Sequence, residues 1–229
     1  LRRVSKRDGL GFAYRFAALI LHPLMRLITK REWCGTENLD VDSGIVVAAN
    51  HLSWFDPIVI SHVLWDNDRP PRFLAKDVLF RAPGVGWIMR NAGQIPVVRG
   101  TKDAAAAVQA AVDAAQAGEC VLVYPEGTIT KDPDLWPMSA KTGAARIALT
   151  AGVPVIPLAH FGAQDVMGPY RKEFKAFPRK TMRVIVGPPV ALDDLYRGGQ
   201  VDNATLHEAT DRIMAAITEL LRQIRKEES

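Results

Sequence analysis

The chain has 229 residues, 48% of them hydrophobic and 24% charged, which suits one globular domain with a proper core and excludes a disordered chain. Its net charge of +4 is unevenly spread: residues 1–31 hold Arg2, Arg3, Lys6, Arg7, Arg15, Arg26, Lys30 and Arg31 against Asp8 alone, a net of +7, which leaves residues 32–229 at −3. An acidic-leaning body without an aromatic–basic surface pattern speaks against a nucleic-acid binder, and two cysteines, Cys34 and Cys120, are too few for a disulfide framework or a zinc cluster.

The stretch from Leu10 to Ile28 is rich in aromatic and aliphatic residues but is broken by Arg15, His22, Pro23 and Arg26. Those interruptions make spanning a bilayer costly. The basic flanks suit a helix pair lying in the membrane interface. A helix docked on the core with a solvated charged end accounts for the same residues equally well. No small-residue cleavage pattern follows, so the segment is a poor secretory signal. The expected organisation is a basic amphipathic membrane-interface arm over residues 1–31 and an α/β domain over residues 32–229.

Further along, Ile45–Ala49 is a continuous apolar run fit for a buried strand. A helix is predicted over Pro57–Trp65 and a short strand at Phe73-Leu74-Ala75. Val78–Asn91 contains Pro83, Gly84 and Gly86, so at best it forms a broken helix. Ile95–Val98 reads as a strand. Lys102–Ala117 reads as an alanine-rich helix stopped by Gly118. Cys120–Tyr124 is a buried strand, Ala140–Ala151 a helix ended by Gly152, and Val153–Ala159 and Met182–Val186 are strands. In the last helix Leu206, Ile213, Ile217, Leu220 and Ile224 form one apolar stripe. Strands alternating with helices predict an α/β fold, a largely parallel mixed sheet flanked by helices, behind the N-terminal interfacial helical arm.

Four segments carry polar residues at the ends of these strands. Asn50-His51-Leu52-Ser53-Trp54-Phe55-Asp56-Pro57 follows the Ile45–Ala49 strand, and ligand sites in parallel sheets gather at strand carboxyl ends. Asp56 before Pro57 looks like a helix N-cap. On one continuous helix residues five apart would point about 140° away from each other, so His51 must sit in the loop for Asp56 to reach it. A carboxylate on one imidazole nitrogen fixes the tautomer and makes the other nitrogen a better base. Taken alone, the pair is matched by an N-cap beside a hydrogen-bonded loop histidine. Val123-Tyr124-Pro125-Glu126-Gly127-Thr128 sets a glutamate and a glycine at another strand end. Gly93-Gln-Ile-Pro-Val-Val-Arg99 delivers an arginine to a loop. Val153-Pro-Val-Ile-Pro-Leu-Ala159 holds two prolines and reads most simply as an edge strand.

In this order the four blocks resemble the glycerolipid acyltransferase family, of the 1-acylglycerol-3-phosphate acyltransferase type, over roughly residues 30–190. The Asn-His-x-x-x-x-Asp and Pro-Glu-Gly-Thr blocks are the most diagnostic. The resemblance implies that His51 deprotonates an acceptor hydroxyl and that Asp56 is its partner. It also implies that Arg99 holds the acceptor phosphate, and that Glu126, Gly127 and Thr128 line the acceptor site beside Asn50. The Val153–Ala159 block would shape the acyl site. The implied reaction moves a fatty acyl chain from acyl-CoA or acyl carrier protein to the sn-2 hydroxyl of 1-acylglycerol 3-phosphate. It needs no cofactor or metal beyond the thioester co-substrate. The implied partners are that donor, a lysophospholipid acceptor and an anionic membrane surface. The implied place is the cytoplasmic face of a membrane, held peripherally or monotopically.

One position departs from the family. Its arginine after Glu-Gly-Thr is Ile129 here, which leaves Arg99 with Lys76, Lys131 or Lys141 as cations. Glycerol 3-phosphate, another lysophospholipid or a glycolipid hydroxyl therefore stay open as acceptors. So do an acyl-thioesterase that uses water and a non-catalytic lipid binder. No serine stands in Gly-x-Ser-x-Gly, and HExxH, P-loop and complete GxGxxG patterns are missing. Acyl transfer from a thioester needs none of them.

Overall fold

The computed structural model describes residues 10–97, 103–196 and 201–226. Seven strands form one sheet in the order β1-β7-β6-β2-β5-β3-β4. They are β1 (Thr29–Cys34), β2 (Ile45–Ala49), β3 (Pro71–Lys76), β4 (Ile95–Val97), β5 (Cys120–Val123), β6 (Val155–Phe161) and β7 (Lys180–Val186). Neighbours run parallel except β6 and β7, which are antiparallel. This is the α/β fold with a mostly parallel mixed sheet that the alternation predicts.

The sheet is a middle layer. Strand β2 is fully buried along its length, because helices cover both faces and no position faces water. Its side chains alternate between two cores. Val46 and Ala48 join the core under α5 (Asp103–Gln116), α6 (Gly143–Ala151) and α8 (Asn203–Lys226). Ile45, Val47 and Ala49 join the core under α1 (Phe12–Ile28), α2 (Asp56–Asp66) and α7 (Ala163–Val166). The stripe Leu206, Ile213, Ile217, Leu220 and Ile224 is the buried face of α8. Between β3 and β4 the expected broken helix is α3 (Asp77–Arg81) and α4 (Val85–Asn91), split at Ala82-Pro83-Gly84.

Three expectations change. First, β6 is not an edge strand: it lies between β2 and β7, with Ala48 in register with Pro157. Pro157 has no N–H to give, but its carbonyl accepts the Gly187 N–H at 2.9 Å, so the strand stays tied on that side. Second, the segment around Pro23 is one helix, α1, rather than a helix pair. Third, β1 straddles residue 31. It is a mostly exposed edge strand whose Thr-Lys-Arg-Glu-Trp-Cys sequence shows no apolar alternation, and it pairs with β7. The helix of the arm therefore continues directly into the sheet. The fold places the carboxyl ends of β2, β5 and β6 side by side, and the polar residues collect there.

Candidate active site

The loop after β2 folds back on the first turn of α2. Phe55 caps that helix, and Asp56 is its first residue, followed by Pro57. Asp56 is thus inside the helix rather than its N-cap, and its carboxylate serves the loop behind it. Oδ2 accepts the Leu52 N–H at 2.5 Å, the Ser53 N–H at 2.8 Å and a hydrogen bond from His51 Nδ1 at 2.8 Å. A carboxylate only accepts, so His51 Nδ1 carries the proton and Nε2 keeps its lone pair. The Asp56 side chain is wholly buried, whereas that of His51 keeps 15% exposure. The basic nitrogen belongs to the group that a substrate can reach.

A second histidine supports the carboxylate. His160, the sixth residue of β6, is fully buried, and its Nε2 lies 3.5 Å from Asp56 Oδ2. The same nitrogen is 3.0 Å from the Asn50 carbonyl, to which it donates. Burial by itself would push the Asp56 carboxyl up. The imidazoles of His160 and His51 outweigh it and hold the group down at about 2. Asp56 is therefore an anion at neutral pH.

Asn50 fastens the strand ends. Its Nδ2 donates to the His160 carbonyl at 3.0 Å, and its Oδ1 accepts the His160 N–H at 2.9 Å. Glu126 acts similarly. Oε1 accepts the His51 N–H at 3.2 Å, and Oε2 accepts the Met138 N–H at 2.9 Å. Burial raises the Glu126 carboxyl, against the pull of those two backbone donors. Both side chains hold backbone groups at the strand ends.

Tyr124 follows β5 and lays its ring on His51, with centroids 4.1 Å apart and planes 18° from parallel. Burial, with Asp56 adding to it, raises the Tyr124 phenol well above its ordinary value. The next residues turn sharply. Gly127 adopts φ +68° and donates its N–H to the Tyr124 carbonyl at 2.9 Å. That region favours glycine, and a Cβ there would also lie 3.5 Å from Lys141 Cδ and Cε. Lys141 is exposed beside this turn and donates its N–H to the Pro125 carbonyl. Thr128 is half-buried. Lys76 is exposed at the carboxyl end of β3, the strand that pairs with β5. Arg99 lies outside the described residues, just beyond β4.

Ile129 is buried and its carbonyl accepts the Tyr170 hydroxyl at 2.5 Å. Next to it opens a cavity of about 730 Å³, walled by Thr130, Lys131, Tyr170, Arg171, Lys175 and Lys180 among others. Neither His51 nor Asp56 lines it. The link between cavity and dyad is Thr130, whose N–H donates to the His51 carbonyl at 2.8 Å.

A sequence model of the acyltransferase family matches residues 30–160, more than half of the chain. The chain belongs to the acyltransferase family. A 1-acyl-sn-glycerol-3-phosphate acyltransferase of Bacillus subtilis is 28% identical over 214 residues, 93% of this chain and 96% of that relative. A chloroplastic 1-acyl-sn-glycerol-3-phosphate acyltransferase of Brassica napus is 30% identical over 154 residues, 66% of this chain but 42% of that longer relative. The crystal structure of the 1-acyl-sn-glycerophosphate acyltransferase PlsC from Thermotoga maritima superposes with a TM-score of 0.69 at 22% identity, covering 96% of this chain and 84% of that one. That likeness establishes a shared fold. The hydrogen-bonded pair His51 and Asp56 lies within the matched residues.

Sequence reasoning missed His160 and the stacking role of Tyr124. His160 stands directly after the Val153–Ala159 block, so a signal existed. Using it required knowing that β6 is the neighbour of β2, which no local pattern reveals.

Proposed function

We propose that the chain transfers a fatty acyl group from acyl-CoA or acyl carrier protein to the sn-2 hydroxyl of 1-acylglycerol 3-phosphate, giving phosphatidate. The observation that carries this reading is the His51–Asp56 pair, with Asp56 buried, ionised and held by two loop N–H groups. His51 Nε2 takes the proton as the hydroxyl oxygen bonds to the thioester carbonyl carbon. The carbon–sulfur bond then breaks, and the departing thiolate takes that proton from the imidazolium. Because a thioester is already activated, a base worth about 10²–10⁴-fold and good orientation of both substrates meet the need. Tyr124 supports the imidazole ring from one face. Asn50, Glu126 and His160 position the base. Arg99, helped by Lys141, Thr128 and Gly127, receives the phosphate, and Lys76 is a further cation for it.

The substitution at Ile129 removes one phosphate ligand that the family uses, so glycerol 3-phosphate, another lysophospholipid or a glycolipid hydroxyl is the alternative acceptor. The membrane reading rests on α1. Phe12, Leu19 and Leu27 are 75%, 74% and 60% exposed, and Phe16, Ile20 and Leu24 join them. Val78 and Trp87 add exposed apolar area on α3 and α4. Among the described residues no helix is long and apolar enough to cross a membrane. The exposed apolar residues of α1 support an arm that lies on an anionic bilayer, at its cytoplasmic face.

The test is purified protein with acyl-labelled thioester and each acceptor in mixed vesicles. Label in phosphatidate supports the proposal. Label in another esterified lipid moves the acceptor, label in free acid means a thioesterase, and label left in the donor means a binder.

A further inference from the structure

Far from the dyad, at the other end of α2, three ligand-type side chains converge. His62 and Asp66 stand one helical turn apart on α2, the spacing that puts two side chains on the same face. His22 reaches them from α1. One ring nitrogen each of His22 and His62 and one Asp66 carboxylate oxygen all lie within 4.8 Å of one another.

The hydrogen bonding of this cluster is unbalanced. His22 Nε2 pairs with Asp66 Oδ1. Arg31 Nη1 donates to Asp66 Oδ2 at 2.9 Å, and Arg26 stands 3.9 Å from it. His62 is left over. Its side chain is 2% exposed, its Nε2 is 3.8 Å from Asp66 Oδ2, and that nitrogen has no hydrogen-bond partner among the described residues. Its ring packs at right angles to the rings of His22 and Trp33. An orphaned buried imidazole is costly.

We propose that His22, His62 and Asp66 bind a transition dication of the Zn²⁺ class, which fastens α1 to α2. The ligand atoms would be the two Nε2 nitrogens and Asp66 Oδ1, with Oδ2 left to Arg31. Tetrahedral bonds of about 2.0–2.2 Å place ligand atoms a little over 3 Å apart. His22 must therefore move off Asp66 slightly while His62 closes in, shifts within the reach of side-chain rotations. Two imidazoles and one carboxylate suit zinc, cobalt or nickel. Magnesium and calcium want oxygen ligands in larger number. Arg26 and Arg31 repel any dication, which sharpens the preference for metals bound strongly by imidazole. The ion would sit where the helix bearing the exposed apolar face meets the body of the molecule.

The experiment uses the full chain without a histidine tag, freed of metal by chelation and desalting. ZnCl₂ and MgCl₂ are titrated separately while melting temperature and bound metal are followed, and CoCl₂ supplies a visible ligand-field spectrum. The expected result is one equivalent of Zn²⁺, a higher melting temperature and a tetrahedral or five-coordinate Co²⁺ spectrum. His22→Gln and His62→Gln should each weaken Zn²⁺ binding by at least about tenfold and remove the spectrum. His22 is the more exposed ligand, so His22→Gln decides the matter if His62→Gln does not fold. Saturating Zn²⁺ without bound metal or stabilisation would overturn the proposal, as would unchanged binding in His22→Gln or an equal response to Mg²⁺.

Discussion

His160 Nε2 lies 3.5 Å from Asp56 Oδ2, the same oxygen that receives His51 Nδ1. The two histidines thus share one carboxylate, one from the loop after β2 and one from the end of β6. His51 is the reachable one, and His160 is sealed in the core. A buried imidazole against a buried carboxylate, with its N–H committed to the Asn50 carbonyl, holds the dyad in place.

His160→Ala should therefore lower kcat by about 10–100-fold, the worth of a hydrogen bond to or beside a charged group. Both KM values should stay near wild type, because His160 touches no substrate in this account. His160→Gln restores a donor for the Asn50 carbonyl and should recover much of the loss. If the melting temperature and both KM values collapse in step with kcat and glutamine rescues nothing, His160 is an ordinary core histidine.

Acid stability reports on Asp56. Its carboxyl falls from 3.8 in the unfolded chain to about 2 in the fold, worth roughly 2 kcal/mol. For a depressed pKa that stability is present above the unfolded value and is lost as pH falls through the folded one. Wild-type melting temperature should drop steeply between pH 3.8 and pH 2. Asp56→Asn should start lower at neutral pH and fall less over that window. Parallel curves for the two proteins, measured by calorimetry, would mean that Asp56 is not held as an anion.

The proposed phosphate clamp turns on Arg99. With a phosphorylated acceptor, Arg99→Ala should raise the acceptor KM by about 10–150-fold, matching one charge-assisted pair, and spare the donor KM. Arg99→Lys should recover part, since charge returns without the planar fork. Lys141→Ala should show a smaller change in the same direction. A dephosphorylated acceptor analogue separates the cases. Equal impairment of both acceptors makes Arg99 structural, and a wild-type preference for the analogue makes Ile129 the mark of a non-phosphate acceptor.

Membrane attachment is read by vesicle sedimentation. Leu19 and Leu27 are exposed on α1, so Leu19→Asp with Leu27→Asp leaves the fold intact. It should weaken binding to anionic vesicles by at least about tenfold, through lost apolar burial and added repulsion. Unchanged sedimentation would place the membrane contact on another surface.

Much of the fold and the core of the site are legible in the amino-acid sequence. The strands that lie buried on both faces, such as Ile45–Ala49 and Cys120–Val123, show as apolar runs because no position faces water. The His51–Asp56 spacing is readable because Pro57 marks the first turn of α2, although the helix begins one residue earlier than expected, at Asp56. Strand β1 is not legible: an exposed edge strand owes its existence to β7 and not to its own side chains. The place of β6 is misread for a related reason. Proline argues against an interior strand, yet here the Pro157 carbonyl still finds Gly187. His160 and the backbone bonds of Glu126 acquire meaning only from the sheet order.

The central claim is that His51 is the base of an acyl transfer. Steady-state turnover of purified His51→Ala, with acyl-labelled thioester and 1-acylglycerol 3-phosphate, tests it most directly. The account predicts a fall in kcat of about 10²–10⁴-fold, with an unchanged far-ultraviolet spectrum and a melting temperature close to wild type. Turnover within a few-fold of wild type would contradict it.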